Sequence, residues 1–210
     1  YDLAGNHTDS PPLAFTLDTG RPPAPTPVLR LDSGALANDG ITTDGTVRID
    51  NLEAGAIWEY SLDNGTTWST TGITGNTVSF TDNGTRRSLQ VRQTDRAGNV
   101  SDPSAKLEFT VDNTPPRTPR LAMVNNSSGD EASHLSNDGR IDVLDLDPET
   151  TWQYSTDGGS TWTNGSGNRF TVSGDGAKRL QVRQTDAAGN TSISSVLSMQ
   201  LDAAAPGKPG

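Results

Sequence analysis

Three short motifs repeat an aspartate and an asparagine in the same arrangement along the chain. They read YDLAGN at 1–6, TDRAGN at 94–99 and TDAAGN at 185–190. Glycine and asparagine are enough to make a tight turn, and such a turn does not need the aspartate. Carboxylate and amide oxygens are, however, ligands that Ca²⁺ accepts in its flexible coordination shell. Each motif is therefore a candidate part of a cation site, and the paired residues are Asp2 with Asn6, Asp95 with Asn99, and Asp186 with Asn190.

A second set of aspartates ends three similar segments, LAFTLD, LEFTVD and LSMQLD. Each segment is followed by a stretch that contains proline: TGRPPAP, NTPPRTP and AAAPGKP. The aspartates that end these segments are Asp18, Asp112 and Asp202. Two further acidic residues, Glu53 and Asp147, match each other at an offset of 94 residues although their neighbours differ.

These residues belong to an internal repeat. WEYSLDNGTTW at 58–68 returns as WQYSTDGGSTW at 152–162, and LQVRQTD at 89–95 returns unchanged at 180–186. Repetition at a fixed period of this length indicates an array of similar units. We therefore predict four parts: the C-terminal strand of a preceding repeat, two whole repeats, and a linker to a following repeat, at 1–18, 19–112, 113–202 and 203–210.

Within each repeat the apolar residues alternate with polar ones. Leu89 and Val91 face one way while Gln90 and Arg92 face the other, and glycine, asparagine and aspartate separate the short alternating runs. This pattern predicts an all-β fold of tandem immunoglobulin-like sandwiches, each with about seven strands and a tryptophan in its middle. In the first repeat the predicted strands are 26–31, 45–52, 57–62, a short 66–69, 76–81, 86–94 and 105–112.

The topology of such a sandwich predicts where the acidic residues meet. The turn after the long sixth strand lies at the N-terminal end of a repeat, beside the incoming linker and the loop that carries Glu53. Three carboxylates and an amide would repel one another there unless a cation neutralised them. The predicted sets are Asp18, Glu53, Asp95 and Asn99 in the first repeat and Asp112, Asp147, Asp186 and Asn190 in the second, with Asp2, Asn6 and Asp202 as the corresponding residues of the flanking repeats. Ordinary turn chemistry is the alternative.

A further acidic cluster falls in one loop of the first repeat, at the opposite end of the sandwich. This loop either binds another Ca²⁺ or is a solvated polar loop, and its candidate ligands are Asp32, Asn38, Asp39 and Asp44. The corresponding segment of the second repeat, 125–139, matches it poorly, which leaves a site at Asn126, Asp130 and Asp138 open.

One motif resembles the Asp-box, a hairpin turn frequent in sialidase propellers. It reads Ser61-x-Asp63-x-Gly65-x-Thr67-Trp68 and recurs at 155–162. In an Asp-box the aspartate caps main-chain amides, and one copy per repeat is too sparse for propeller blades. We predict a structural turn.

Composition narrows the function classes. The 210 residues carry a net charge of −10 and no cysteine, and only 30% are hydrophobic. The negative charge argues against nucleic acid and anionic membranes as partners. The absence of cysteine, with only two histidines (His7 and His134), argues against a zinc site and against a nucleophile paired with a base. No segment approaches the apolar length of a membrane span. We predict a protein that is not an enzyme.

The order and spacing of these motifs resemble tandem bacterial Ig-like repeats of giant type I-secreted adhesins of the RTX and biofilm-associated kind. That resemblance implies an extracellular, calcium-stiffened stalk at the bacterial cell surface. Its repeats would contact their neighbours in the same monomeric chain, and other regions of the whole protein would bind the surface ligand. The alternative is an adhesive module that itself binds a glycan or a protein. All four tryptophans occupy matching repeat positions, which favours core and turn roles over an exposed sugar platform.

Overall fold

Seventeen strands and no helix make up the part of the chain that this computed structural model describes, namely residues 3–5, 11–127, 133–205 and 207. The predicted all-β class is confirmed, and the strands form two β-sandwiches, one after the other. Among the described residues, none lies in a helix long and apolar enough to cross a membrane.

The first sandwich is built from two four-stranded sheets. One sheet has the order β1-β3-β6-β5 and the other the order β2-β8-β7-β4. The strands are β1 (Thr26–Leu29), β2 (Ile41–Thr42), β3 (Thr46–Asp50), β4 (Ile57–Ser61), β5 (Ile73–Thr74), β6 (Thr77–Ser79), β7 (Arg86–Thr94) and β8 (Leu107–Val111).

The second sandwich follows the same plan with nine strands against eight, and the short strands differ between the two sandwiches. A sheet of order β14-β11-β9 faces a sheet of order β10-β17-β15-β12-β13, in which β16 also pairs with β15. The strands are β9 (Arg120–Met123), β10 (Leu135–Ser136), β11 (Arg140–Leu144), β12 (Thr151–Ser155), β13 (Thr163–Asn164), β14 (Arg169–Thr171), β15 (Gly176–Thr185), β16 (Thr191–Ile193) and β17 (Leu197–Leu201).

Each sandwich has its own core, and the alternation of the sequence decides which residues enter it. Leu89 and Val91 of β7 are fully buried, as are Leu180 and Val182 at the matching positions of β15. Burying a side chain of this kind contributes roughly 1.5–3 kcal/mol to folding. Trp58 lies in the first core as predicted, and its indole N–H donates to the Gly75 carbonyl at 3.0 Å.

The first strand of each sandwich changes sheets, which the sequence did not predict. β1 pairs antiparallel with β3, whereas the short β2 pairs parallel with β8 in the other sheet. Residues 30–40 connect the two, so the predicted strand 26–31 ends at Leu29. Thr42 is fully buried at the crossing, where its hydroxyl donates to the Leu31 carbonyl at 2.7 Å.

The predicted short strand at 66–69 is wrong in extent. Only Ser69 pairs there, through two main-chain hydrogen bonds with Tyr60, and the turn before it is held by side chains instead. The next strand pair is the small hairpin of β5 and β6.

Residues 11–25 contain no strand. Leu13, Phe15 and Leu17 alternate as in a sheet strand, but all three are exposed because no described strand pairs with them.

Candidate functional site

The two sandwiches meet end to end, and we call their region of contact the seam. On the first side lie the loop 31–40, here called the first loop, and Asp112 at the end of β8. On the second side lies the turn 186–190, here called the second turn. The turn 95–99, here called the first turn, occupies the matching place in the first sandwich.

The repeated Asp-x-Ala-Gly-Asn motif closes the second turn on itself and onto the linker. The Asp186 carboxylate accepts the Asn190 main-chain N–H at 2.9 Å and the Asn190 side-chain amide at 3.0 Å. That same amide nitrogen donates to the Asp112 carbonyl oxygen at 2.9 Å. The aspartate therefore orients the asparagine, which in turn holds the linker between the sandwiches.

The first turn has the same geometry. The Asp95 carboxylate accepts the Asn99 main-chain N–H at 2.9 Å and its side-chain amide at 2.8 Å, and that amide donates to the Asp18 carbonyl at 3.2 Å. The hydrogen bond from the Asn99 side chain is the largest of the effects that lower the pKa of Asp95. Both copies thus bring together the aspartate and asparagine of the motif and the main-chain carbonyl of the linker aspartate.

The linker aspartates contribute a main-chain carbonyl to these contacts rather than a carboxylate. The Asp18 carboxylate accepts the Gly20 N–H at 2.9 Å, and the Asp112 carboxylate accepts the Thr114 N–H at 2.9 Å. Each side chain therefore caps its own linker in an Asx turn, as aspartate before such a turn commonly does.

Glu53 and Asp147 lie at the same end of their sandwiches, where hydrogen bonds from their main-chain N–H groups hold them. The Glu53 N–H donates to the Gln93 side-chain oxygen at 2.8 Å, and the Asp147 N–H donates to that of Gln184 at 2.9 Å. The Asp147 carboxylate accepts the Arg117 main-chain N–H at 2.7 Å and pairs with its guanidinium, and both contacts lower the pKa of Asp147. This carboxylate is engaged by the linker.

The predicted convergence of three carboxylates is therefore absent from this conformation. Across 3–5, 11–127, 133–205 and 207, no three histidine, cysteine, aspartate or glutamate side chains lie close enough to hold a metal ion. The physical reason is local. The carboxylates of Asp95 and Asp186 accept asparagine amides, and those of Asp18 and Asp112 accept main-chain N–H groups of the linker. The carboxylate of Asp147 pairs with an arginine.

Two buried glutamines join the linker to the fold, and the sequence pattern did not predict this role. Gln93 is fully buried, and its amide donates to the carbonyls of Pro23 and Asn51 at 2.7 and 3.0 Å. Gln184 makes the matching bonds to Arg117 and Asp145. The available signal was a polar residue at an inward-facing position of both LQVRQTD copies.

The first loop lies at the end of the sandwich where it was predicted, but that end is the seam. The Ser33 hydroxyl donates to the Ala188 carbonyl at 2.6 Å, and Ala188 is fully buried. Carboxylates in the first loop and just after it cap their own turns. Asp39 accepts the Ile41 N–H, and Asp44 accepts the Thr46 N–H. The two clusters that the sequence treated separately therefore meet at one interface.

One oxygen of the first loop has no partner. Asp32 accepts the Gly40 N–H through Oδ2 at 3.2 Å, while its Oδ1 is buried without a hydrogen-bond partner among the described residues. A buried carboxylate oxygen without a partner is costly, and a bound cation would remove that cost.

The corresponding loop of the second sandwich shares the hydrogen-bonded frame of the first loop despite its different sequence. Ser136 donates to the Asn125 carbonyl at 2.6 Å, as Thr42 does to Leu31, and Ser127 accepts the Asn137 N–H at 2.9 Å, as Ser33 does from Thr43. The Asp138 carboxylate in this loop pairs with Arg140.

Three more of the predicted ligands fall outside the described ranges, and Asp202 lies beside β10. Asp2, Asn6 and Asp130 lie outside the described residues. The Asp202 N–H donates to the Ser136 carbonyl at 2.9 Å, which extends the pairing of β10 with β17.

The Asp-box motif is a structural turn, as predicted. Asp63 accepts the Thr67 N–H at 2.8 Å and its hydroxyl at 2.6 Å, and Ser61 accepts the Gly65 N–H at 2.8 Å. The Trp68 indole N–H donates to Gly65, and the Arg92 guanidinium stacks 4.3 Å from the indole ring centre. In the second copy Asp157 and Ser155 accept the matching hydrogen bonds from Thr161 and Gly159, and the Arg183 guanidinium stacks 4.4 Å from the centre of the Trp162 ring.

No protein-family model matches this sequence, and no curated protein matches it. Similar solved structures include fibronectin(III)-like modules of CbhA from Clostridium thermocellum, with 13% sequence identity and a TM-score of 0.48 over 84% of this chain and 92% of that chain. They also include domains FN1–FN3 of chicken CNTN1, with 12% identity and a TM-score of 0.43 over 87% of this chain and 68% of that chain. The strand order given above is what assigns the immunoglobulin-like sandwich.

A groove of about 1030 Å³ runs along the seam. The first loop forms one wall with Gly34 and Ala35, and the second sandwich forms the other. The second wall mixes apolar surface, which includes Leu146 and Trp152, with polar side chains such as Gln153 and Asn164 and with Asp147.

Proposed function

We propose that this chain is a spacer segment of a large bacterial surface adhesin, a stalk in which immunoglobulin-like repeats follow one another end to end outside the cell. The observation that carries this proposal is the seam. Two complete sandwiches are joined by a short linker, and contacts from both sides of the joint supplement that linker: Asn190 to Asp112, and Ser33 to Ala188.

These contacts suit a load-bearing spacer better than a flexible tether. Neighbouring domains on an ordinary linker move relative to each other by default, and proline stiffens a linker without fixing an angle. Here the linker is held by buried Gln184 and by Ser192, whose hydroxyl donates to the Pro116 carbonyl at 2.6 Å. Contacts on several sides of the linker restrict bending in more than one direction.

Calcium at the seam is the second part of the proposal. Its support is the Asp32 Oδ1 in the loop that contacts the second turn, which is buried without a hydrogen-bond partner among the described residues. The carboxylates of Asp112 and Asp186 would have to leave their present hydrogen bonds with Thr114 and Asn190 to join it at an ion. Calcium sites in extracellular modules bind with Kd of roughly 10⁻⁴–10⁻³ M, so they fill outside the cell and stay empty in the cytosol. A bound ion would supply charge neutralisation and further cross-linking at the joint.

Thermal unfolding and small-angle scattering test this function. With millimolar Ca²⁺ we expect a higher Tm than with chelator, and a maximum dimension that corresponds to two sandwiches in line. Asp32→Asn should weaken the calcium effect, whereas Asp50→Asn, whose carboxylate pairs with Arg48 away from the seam, should not. If neither Tm nor maximum dimension responds to Ca²⁺, calcium does not stiffen this seam. If the sandwiches tumble independently under all conditions, the spacer proposal is wrong.

The groove favours a second candidate function, direct binding of a glycan or protein. Its hydrogen-bonding side chains, such as Gln153 and Asn164, suit sugar hydroxyls, but Trp152 is 7% exposed and offers no open ring face. A glycan array probed with the intact chain tests this candidate, and binding that is lost in Asn164→Ala would support it. An array without hits contradicts glycan binding.

A further inference from the structure

The seam is a docking contact between a loop and a turn, and one glycine makes it possible. Gly34 approaches the second turn so closely that a Cβ at this position would lie 1.8 Å from the Ala187 carbonyl oxygen. Beside it, Ser33 donates to the Ala188 carbonyl. The first loop therefore fits against the second turn only with glycine at position 34.

The first turn repeats the receiving half of this contact, and no described loop is docked on it as the first loop is docked on the second turn. Its hydrogen bonds match those of the second turn, with Asp95 N–H to Asn99 at 3.0 Å against 3.1 Å for Asp186 to Asn190. Gly98 and Gly189 have the same φ of +95°. The linker carbonyl is also in place, since Asn99 holds Asp18 as Asn190 holds Asp112.

Exposure separates the two turns. Ala188 is fully buried by the first loop, whereas Ala97 at the matching position is exposed. A Cβ on Gly189 would lie 3.2 Å from Gly34, but one on Gly98 would meet nothing within 4 Å among the described residues. Arg96 is the only large side chain that distinguishes the first turn from the second, and its guanidinium folds back against Gly55. Among the described residues, nothing lies against Gly98 on the outer face of the first turn.

We propose that the first turn is a preformed docking socket, and that its occupant is the glycine-bearing loop of another immunoglobulin-like repeat of the same type as the first sandwich. This inference rests on the proposed end-to-end array and specifies which repeat end fits which. The matching loop of the second sandwich keeps the serine, as Ser127, but has Ser128 where the first loop has Gly34. A residue with a Cβ in the place of Gly34 would meet the obstruction described above, so we expect only the loop with the glycine to fit the socket.

A longer chain tests the socket directly. Residues 1–18 are replaced by a second copy of 19–112, so that the copy's final aspartate takes the place of Asp18. In chelator, we expect the backbone ¹H–¹⁵N shifts of Ala97 and Gly98 to move toward those of Ala188 and Gly189, and their hydrogen exchange to slow about tenfold or more. Unchanged shifts and exchange would overturn the proposal.

The glycine requirement is tested with Gly34→Asn in the added copy. Asparagine is one of the side chains found most often at positive φ, so at +95° it adds a Cβ with less backbone strain than most other residues would. We expect Ala97 to keep the shifts of the present chain. The control is Gly72→Asn, where φ is +74° and no described atom lies within 4 Å of the new Cβ, and it should leave docking intact. Docking that survives Gly34→Asn would show that the loop is not the occupant.

All of these measurements are made without Ca²⁺. Their outcome therefore does not depend on whether the seam binds calcium. In the present chain, Gly34→Asn should also release Ala188 and restore the exchange behaviour of an exposed turn. If Ala188 stays protected in that variant, the first loop does not determine docking even at the seam described here.

Discussion

Single aspartates act in this protein mainly as caps of main-chain amides. Asp63 is the clearest case, because the Thr67 hydroxyl and N–H and the Ser61 hydroxyl all donate to its carboxylate and lower its pKa from 3.8 to about 2. The same contacts lower the pKa of Asp157 in the second sandwich. The motif needs an aspartate because both of its carboxylate oxygens accept hydrogen bonds here, whereas asparagine would offer one acceptor oxygen and a donor nitrogen.

The pH dependence of stability should show this capping. The pKa of Asp63 is lower in the folded than in the unfolded state, so its contribution is complete above about pH 4 and is lost as the pH falls through about 2. Asp63→Asn should lower Tm at neutral pH and flatten its decline on acidification, measured by scanning calorimetry from pH 7 to 2. Asp102→Asn, at an exposed surface pair with Arg21, should leave both unchanged. A carboxyl titration of Asp63 with its midpoint near 3.8 would contradict this account.

Buried Gln93 acts at the same scale but joins three segments. Gln93→Leu keeps the volume while leaving the Glu53 N–H and the carbonyls of Pro23 and Asn51 without their partner. We expect a loss of at least about 1–3 kcal/mol in the free energy of unfolding, measured with urea. Gln200→Leu, on an exposed position of β17, should change it by less than about 0.5 kcal/mol. If the two variants changed the free energy of unfolding equally, the hydrogen bonds of Gln93 would not be what stabilises this end of the sandwich.

At the scale of elements, the switch of the first strand between sheets is what positions the seam. Because β1 leaves its sheet at Leu29 and the chain rejoins the other sheet at β2, the intervening first loop projects from the end of the sandwich. A strand that continued straight would leave no loop at this end to contact the second turn. Thr42 fixes the crossing with hydrogen bonds to both sides of the loop.

Removing the Thr42 hydroxyl should destabilise the crossing between the two sheets. Thr42→Val leaves the Leu31 carbonyl without its buried donor, and we expect a loss of about 1–2 kcal/mol in the free energy of unfolding, with faster hydrogen exchange at Thr110 and Asp112. Thr74→Val on the exposed edge strand β5 is the matched control. Unaltered exchange at these two amides would show that the crossing does not depend on Thr42.

At the scale of the whole molecule, two separate cores are joined by a small interface. Leu89 belongs to the first core and Leu180 to the second, and no residue is shared between the two clusters. Leu89→Ala and Leu180→Ala should each cost about 2–5 kcal/mol, but each in its own sandwich. In residue-resolved urea unfolding, each variant should shift the amide signals of one sandwich to lower denaturant and leave the other sandwich folded. A shift of both transitions together would show that the seam couples them into one cooperative unit.

Local sequence pattern determined much of this protein. Alternation placed β7 at the predicted residues 86–94, the repeated tryptophans entered the cores, and the Asp-box and Asp-x-Ala-Gly-Asn turns close as their residue types require. These features depend on neighbours within a few residues, so spacing alone identifies them. Even the contact between Asn99 and Asp18 followed from a topology that the strand pattern implied.

Only the tertiary structure decided what meets at the seam. Whether Asp112 presents a carboxylate or a carbonyl depends on how the linker turns, and whether the first loop touches the second turn depends on a change of sheet and on the missing side chain of Gly34. These are contacts between segments as far apart as Ser33 and Ala188, set by packing and close approach rather than by local propensity. The turns that the repeated aspartates close can thus be predicted from sequence alone, whereas the partners of those turns depend on how one sandwich packs against the next.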